Sequence, residues 1–442
     1  MTAPILLTDA QIQSFITNGY TTVHTAHDPT FHQQLHQQIE TLYAATGNPG
    51  NDILPKIPDL YQVLQDPSVH GALQSLLGPD YVIHPHRHCH QNLSGSAGQG
   101  MHQDSYENDQ NVRHHRTRWT MAFYYPHDVT VDNGPTAILP ATQYYTSSEQ
   151  AHQRDEVALC GKAGTVTIVH YDLWHRAMPN PSECDRFMVK FLFTRMSEPH
   201  GPTWDYNDGT WITEGNDPSS LLCRRAWDWM RGTETAIVPS DTPTDDLARV
   251  LQTAAEAERL HAIYALAARG ADAMPVLLEA LHREAAERLE ANLAASHTNP
   301  SQLEAVFALS AVGRPAVPHM VELLDDEDWS LRAAAADVLG DLGATASDTV
   351  SRLARALDDE SEWVRRNAVE ALGNIGPAAA EAVPALTQRL QDSESWVRHN
   401  AALALAKIGP AAAEAVPTLQ KNIEDDHYVG SNAAMALERI NS

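Results

Sequence analysis

Two imidazoles and one carboxylate stand at an informative spacing in this chain, as His102-Gln103-Asp104 followed by His175. In an extended strand, side chains two positions apart point to the same side, so His102 and Asp104 can face one metal ion together. The third ligand can come from another strand of the same barrel, which permits the long separation in sequence. Two histidines and a carboxylate on one face of a metal, with open positions opposite, are typical of a non-haem Fe(II) site.

A second histidine–aspartate pair stands just before His175. His170 and Asp172 have the same spacing as the first pair and compete as metal ligands. We prefer His175 as the third metal ligand because Arg186 follows it. The number of residues between the two lets the chain turn and return on an adjacent strand. A planar guanidinium binds a carboxylate through two hydrogen bonds, so Arg186 is a candidate anchor for an acidic ligand.

Composition limits the partners of the chain. Its 442 residues are enough for two or three domains, and its formal net charge of −27 repels phosphate backbones and anionic lipid. We therefore expect no nucleic-acid partner. The N-terminus lacks the features of a signal peptide, and no apolar stretch approaches the ~20 residues needed to span a membrane. The four cysteines form no CxxC pair, which favours a reduced, cytoplasmic protein: Cys89, Cys160, Cys184 and Cys223.

The sequence changes character near residue 240. Before it, short β-rich runs alternate with histidines, aromatic residues and turn residues; after it, the chain is rich in Ala, Leu and Glu with helical periodicity. We predict a first domain over residues 1–237, with a strand-rich core at about 80–200. Residues 238–246, rich in Pro, Ser, Thr and Asp, are a linker. Residues 247–442 are an all-α domain.

The C-terminal domain repeats itself. Similar segments start at Trp329, Trp363, Trp396 and Tyr428, about 33 residues apart, and three of these helices end at a glycine. An acidic run, then Val-Arg and an Ala/Leu-rich helix, resembles HEAT repeats of the short, phycobilisome-lyase-like type. The resemblance implies a curved solenoid whose concave face commonly binds a partner protein. The alternative is that the repeats only cap or dimerise the neighbouring domain. The aromatic residue that opens each copy is expected to pack between repeats.

The N-terminal domain shows helices followed by strands. Asp9–Asn18 is predicted as a helix ending at Gly19, Tyr20–His24 as a strand, and residues 30–45 as a second helix. Short strands dominate from Tyr81 to Met196. Many short strands around a metal predict a jelly-roll barrel, or double-stranded β-helix, with flanking helices.

Four segments in order resemble the phytanoyl-CoA dioxygenase-like family. They are the opening helix, the His102-Gln-Asp104 motif, Asn133-Gly-Pro-Thr-Ala-Ile-Leu-Pro-Ala-Thr142, and Leu173-Trp-His-Arg-Ala-Met-Pro-Asn180 with Arg186 downstream. The third segment departs from the family pattern, because Pro-Ala-Thr replaces Pro-Gly-Ser. The resemblance covers roughly residues 5–200.

The resemblance implies an oxygenase that uses Fe(II), 2-oxoglutarate and O₂. His102, Asp104 and His175 carry over as catalytic iron ligands, and Arg186 carries over as the anchor of 2-oxoglutarate. Halogenating relatives lack the carboxylate, so Asp104 favours hydroxylation or a related oxidation. Asn92 and Trp119 are further candidates for cofactor binding.

Two clusters remain outside this set. His84, His86, His88 and His90 alternate along one strand, a pattern we call the histidine comb, which is either a second metal site or part of a barrel wall. The segment Arg113–Arg118 is basic in an acidic protein, and with Tyr106 it supplies candidates for binding an anionic substrate, above all Arg113 and Arg116. The alternative is a solvated loop.

We therefore expect a dioxygenase that hydroxylates a small-molecule or acyl-type metabolite and releases CO₂ and succinate. One alternative is an oxygenase whose protein substrate is recruited by the solenoid. The other is a non-catalytic HEAT scaffold with a degenerate oxygenase domain.

Overall fold

A computed structural model describes residues 3–104, 115–212, 220–233, 237–290 and 303–442. The first part of the chain combines helices with short strands. Its helices are α1 (Asp9–Asn18), α2 (Pro29–Thr46), α3 (Ile53–Lys56), α4 (Leu60–Gln65), α5 (Pro67–Leu77) and α6 (Ser148–Ala151). Its strands are β1 (Tyr20–His24), β2 (Tyr81–Asn92), β3 (Trp119–Tyr124), β4 (Thr136–Ile138), β5 (Val157–Leu159), β6 (Thr165–His170), β7 (His175–Ala177) and β8 (Arg186–Arg195).

The second part is helical. Its helices are α7 (Ser220–Met230), α8 (Thr244–Thr253), α9 (Glu256–Ala267), α10 (Met274–Glu290), α11 (Glu304–Val312), α12 (Val317–Leu323), α13 (Trp329–Leu342), α14 (Val350–Ala356), α15 (Glu362–Ile375), α16 (Val383–Arg389), α17 (Ser395–Ile408), α18 (Val416–Asn422) and α19 (His427–Ile440). Helix α8 begins inside the segment predicted as a linker, and the domain boundaries stay a prediction. Within the described ranges, no helix has the length and apolar character that crossing a membrane requires.

The strands form two antiparallel sheets. A five-stranded sheet has the order β1-β6-β3-β8-β2, and a three-stranded sheet has the order β5-β4-β7. A short bridge joins His102 to His175 and so extends the smaller sheet to the metal motif. Two antiparallel sheets with flanking helices confirm the predicted jelly-roll fold.

Local signals explain how the chain enters the barrel. The Thr8 side chain and Gln11 form a capping box at the start of α1, and Gly19 ends the helix with a φ of 80°. Strand β1 then pairs with β6 at the edge of the larger sheet. The predicted first helix, first strand and second helix are confirmed at these positions.

Strand β8 is buried along its whole length. It lies between β2 and β3 in the larger sheet, so both of its edges are hydrogen bonded. An apolar sequence would be ordinary for such a strand, but β8 carries the cations Arg186, Lys190 and Arg195. Buried charges require partners, and these partners determine what the strand can do.

The helical repeats are joined by a ladder of ion pairs. Arg332 donates from Nε and Nη2 to the two carboxylate oxygens of Asp359, and Arg365 and Arg398 repeat the arrangement with the next repeat's aspartate. Each arginine also donates to two carbonyls at the start of its own helix, as Arg332 does to Asp326 and Glu327. The Val-Arg motif therefore connects neighbouring repeats, and the predicted solenoid is confirmed.

The aromatic ladder is only partly an inter-repeat feature. Trp363 and Trp396 stack, with ring centroids 6.2 Å apart. Tyr428 in the last helix instead contacts the barrel, because its hydroxyl lies 2.7 Å from Nδ1 of His86 and its ring lies 5.8 Å from that of His84. The packing prediction fits the tryptophans and needs correction for Tyr428.

The solenoid is fixed to the barrel at several points along its length. Arg439 in α19 binds Asp80 through two hydrogen bonds of 2.7 and 2.8 Å. At the other end, the carboxylate of Glu256 accepts hydrogen bonds from the backbone nitrogens of Thr146 and Ser147. The array therefore holds the end of the larger sheet at which β2 begins and β8 ends.

The described part of the basic cluster belongs to this interface. Arg118 is 1% exposed and binds Glu198 of its own domain and Asp341 of α13, while Arg116 donates to the carbonyl of Asp341. Because these arginines are neutralised between the domains, neither predicted alternative, a substrate clamp or a solvated loop, describes them.

Replacing Asp341 with Ala should lower the free energy of unfolding by about 3–5 kcal/mol, because the buried Arg118 guanidinium loses one of its two counter-charges. Urea unfolding followed by circular dichroism measures the change. Asp348→Ala is the matched control, since its ion pair with Arg314 is exposed and should contribute less than about 1 kcal/mol. Equal losses in the two variants would contradict the structural role of Asp341.

Replacing Ala141 with Gly should stabilise the protein by about 1 kcal/mol. Ala141 stands where the Pro-Gly-Ser pattern has Gly, and it has a φ of 62°, where a Cβ atom is disfavoured. Thermal unfolding measures the gain. Ala137→Gly in β4 is the control and should destabilise, because Gly has no advantage in a regular strand. A loss of stability in Ala141→Gly would show that the backbone strain is absent.

Candidate metal centre

The predicted triad meets at one point. His102, Asp104 and His175 each offer a ligand atom, and these atoms lie within 4.8 Å of one another. Among the residues that the structure describes, these three form the cluster that could hold a metal ion. The Nε2 atom of His102 is 3.9 Å from Asp104, and that of His175 is 3.6 Å from it. Ligands at right angles and about 2.1 Å from a metal are ~3 Å apart, so small side-chain movements complete the geometry.

Backbone hydrogen bonds orient both imidazoles. The Nδ1 atom of His102 is 2.9 Å from the carbonyl of Gly100, and the Nδ1 atom of His175 is 2.9 Å from the carbonyl of Leu173. A carbonyl accepts only, so each Nδ1 carries the proton and each Nε2 presents its lone pair to the same space. Such outer hydrogen bonds fix the tautomer that metal binding requires.

Strand pairing places the two histidines side by side. The backbone nitrogen of each donates to the carbonyl of the other, at 2.9 and 3.0 Å, and the ring centroids are 4.7 Å apart. Burial lowers the pKa of His175, and the nearby Asp104 carboxylate only partly opposes this shift. The neutral imidazole is the form that binds a metal.

Asp104 has a cationic partner that the sequence did not suggest. The Nζ atom of Lys190 in β8 lies 2.7 Å from Oδ2 of Asp104, and the lysine side chain is 5% exposed. Burial raises the pKa of Asp104, but Lys190 and the two imidazoles outweigh it and hold the pKa well below its usual range. The carboxylate is therefore ionised, as a metal ligand must be.

Arg186 lies in the same cavity, and part of its guanidinium makes no hydrogen bond. Its Nε donates to the carbonyl of Gly134 at 2.8 Å, whereas Nη1 is buried without a hydrogen-bond partner. Burial lowers the pKa of Arg186, since no carboxylate among the described residues compensates the lost hydration. An orphaned donor on a buried cation requires explanation, and a carboxylate ligand supplies one.

The Asn-Gly-Pro motif supports this arginine. The carbonyl of Gly134 accepts hydrogen bonds from Arg186 and from the side chain of Asn92, which also donates to Met178. Gly134 has a φ of 70°, and a Cβ atom there would lie 2.3 Å from the Asn92 amide. Both amide hydrogens of Asn92 are thus donated to backbone carbonyls, so Asn92 positions the loop that contacts Arg186. It has no donor left for a cofactor.

A cavity of about 270 Å³ lies between the domains, and a second cavity of about 150 Å³ contains the triad. The second is lined by the triad, Arg186, Lys190, His90, Asn92 and Arg176, among others. The donor set fits an iron ion bound by the triad, with 2-oxoglutarate between it and Arg186. The convergent triad, the orphaned Nη1 and the shared cavity are the observations on which this fit depends.

Other predicted site residues lie elsewhere. Trp119 pairs with Thr194 at the far end of β8, eight residues or roughly 26 Å from Arg186, so its position argues against a role in binding 2-oxoglutarate there. Arg116 lines the cavity between the domains and not the triad cavity. Tyr106 and Arg113 lie outside the described residues.

The histidine comb and the second histidine–aspartate pair are not joined to the triad. His84 and His86 contact Tyr428 of the solenoid, and His90 reaches the triad cavity. In the described part of the chain, the comb brings no three ligand atoms together as the triad does. The comb is therefore a barrel wall that runs from the cavity to the interface. His170 and Asp172 are both buried, with their nearest charged atoms 3.9 Å apart.

Two family models match separate parts of the chain. Residues 15–188 match the phytanoyl-CoA dioxygenase family, and residues 289–360 and 350–438 match HEAT repeats. A search of curated proteins finds no match.

Several solved structures resemble the N-terminal part at low identity. EctD from S. alaskensis with bound Fe is 18% identical, with a TM-score of 0.39, over 48% of this chain and 83% of its own. The non-heme alpha ketoglutarate dependent carbocyclase SnoK from nogalamycin biosynthesis is 16% identical, with a TM-score of 0.38, over 44% and 88%. The apo form of HygX from Streptomyces hygroscopicus is 13% identical, with a TM-score of 0.36, over 48% and 95%.

The matched segments agree with the observed architecture. The triad, the Asn-Gly-Pro loop and the larger sheet lie almost entirely within the first matched range, and the ladder of Arg–Asp pairs lies within the second. The chain therefore carries a phytanoyl-CoA dioxygenase domain over residues 15–188, of the type found in 2-oxoglutarate-dependent oxygenases, and this domain is followed by HEAT repeats.

Proposed function

We propose that this protein hydroxylates an unactivated C–H bond of a small molecule, with Fe(II) held by His102, Asp104 and His175. The observation that carries the proposal is one cavity that holds three preoriented ligands and a buried arginine with an orphaned donor. When bound, iron and 2-oxoglutarate supply the oxidation, since O₂ is split, CO₂ and succinate leave, and one oxygen atom remains for the substrate.

The protein's own residues bind and orient. The two imidazoles offer Nε2 because their Nδ1 protons are held by Gly100 and Leu173. Lys190 holds one oxygen of Asp104, which leaves the other oxygen to the metal. With a metal bound, this hydrogen bond would disfavour chelation of the metal by both oxygens of Asp104.

Arg186 sets the direction of the co-substrate. Its free Nη1 and the metal are the two fixed points between which a dicarboxylate can lie, one carboxylate at each. The wall of the site beside the metal is apolar, because the Phe123 ring lies 5.6 Å from that of His175. An apolar ring there excludes water from that side of the site.

A protein substrate recruited by the solenoid is the alternative. The observed solenoid contacts are with the oxygenase domain itself, through Asp341, Tyr428 and Arg439 among others. These contacts support a fixed architectural role and so favour the small-molecule proposal. Succinate release by the full-length protein with small molecules, and with no added protein, distinguishes the two.

Anaerobic titration with Fe(II) and 2-oxoglutarate should produce the visible charge-transfer band of the chelate. His175→Ala should abolish the band, because it removes a ligand. Arg186→Ala should keep the band but need roughly 10–100-fold more 2-oxoglutarate, since a charge-assisted hydrogen bond is lost. Absorption spectroscopy on the full chain measures all three.

Arg176→Ala is the matched control for Arg186. Arg176 lines the same cavity, but its guanidinium already binds Glu156 through two hydrogen bonds of 2.8 and 2.9 Å. Its loss should leave the 2-oxoglutarate titration unchanged. A folded wild-type protein that shows no band would contradict the proposed function, and equal effects of the two arginine variants would contradict the anchor.

A further inference from the structure

The triad cavity contains more positive charge than the proposed reaction uses. We propose that the substrate carries one anionic group, a carboxylate, which binds the ammonium of Lys190 beside the metal. This inference rests on the proposed function and names the class of substrate for the same site.

Lys190 has N–H donors that the described residues do not use. An ammonium has three N–H donors, and the described residues accept one hydrogen bond from Lys190, at Oδ2 of Asp104. The side chain is 5% exposed, so bulk water does not take the other two. Lys190 also lines the cavity, which aims the remaining donors at the space beside the metal ligands.

A second polar group faces the same space without a partner. The Nε2 atom of His90 is buried and makes no hydrogen bond within the described residues, and His90 lines the cavity. On β2, His88 stands directly opposite Lys190, and His90 stands opposite Met188, two residues further along the strand. Burial, and then the charge of Lys190, lower the pKa of both imidazoles, so neither adds a charge.

Counted over the residues that the structure describes, the charges of the loaded site sum to one excess positive charge. Iron brings two positive charges, and Arg186 and Lys190 bring one each. Asp104 supplies one negative charge and 2-oxoglutarate supplies two. A buried unpaired charge is costly, and a monoanionic substrate group removes the imbalance where the free donors of Lys190 point.

This balance separates two kinds of substrate. A carboxylic acid replaces the water lost from Lys190 with a charge-assisted hydrogen bond. An ester, an amide or an aliphatic chain at the same place leaves the ammonium without a second anion. Among the acyl-type substrates expected from the sequence, we therefore infer a free carboxylic acid and not an ester or an amide.

The test measures thermal stabilisation of the full chain loaded with Mn(II) and saturating 2-oxoglutarate. The probes are small monocarboxylic acids without a 2-oxo group, each paired with its primary amide, which has a similar shape and no charge. Acids should bind at least tenfold more tightly than their amides. Lys190→Met should remove this preference, and Lys190→Arg should retain much of it because the charge stays.

Two controls separate the possible failures. The Fe(II)/2-oxoglutarate band is recorded for the wild type and each variant, so a missing wild-type band counts against the proposed function and not against Lys190. Arg176→Gln alters another cation at the cavity and should keep the preference for acids. With the band present, equal binding of acids and amides, or an acid preference that survives Lys190→Met, would overturn the inference.

Discussion

Burial of positive charge in one strand is the constraint on which this structure depends. Strand β8 lies in the middle of the larger sheet, and it carries Arg186, Lys190 and Arg195 without exposing any of them. Each cation requires a different solution. Arg186 has an orphaned donor that suits a carboxylate ligand, Lys190 is held by Asp104, and Arg195 lies over the ring of Trp229 at the helical interface. The positions of these three cations along β8 therefore set the distances between the co-substrate site, the metal site and the contact with the solenoid.

The same constraint ties the solenoid to the catalytic domain. Arg118 is fully buried at the end of β3, and its charge is balanced by one carboxylate from each side of the interface, Glu198 and Asp341. Removal of the helical array would leave the barrel with half of that compensation. A truncation made to test whether the array recruits a protein substrate would therefore also perturb the barrel. Point variants in the full chain separate these effects more clearly.

Spacing in the sequence was sufficient to predict the parts of the site that depend on local rules. The i, i+2 pair at His102 and Asp104 and the repeats of about 33 residues follow from strand and helix geometry. Lys190 was missed because its role depends on how β8 lies in the sheet, which brings its ammonium to 2.7 Å from Asp104. Trp119 was misplaced for the same reason, since proximity to the metal motif in sequence says nothing about which end of a strand is near the site. The pairing of β3 with β8 settles that point.

The last repeat shows that the contacts of a repeated residue depend on its position in the array. Trp363 stacks on Trp396 because each repeat has a successor against which its first turn can pack. Tyr428 opens the final helix and has no later repeat to cover it. Its ring instead lies against His84, and its hydroxyl meets His86 of the comb. A terminal repeat must bury its exposed face in some other way, and here the barrel wall provides the surface. The comb thus connects the triad cavity, at His90, to the end of the solenoid.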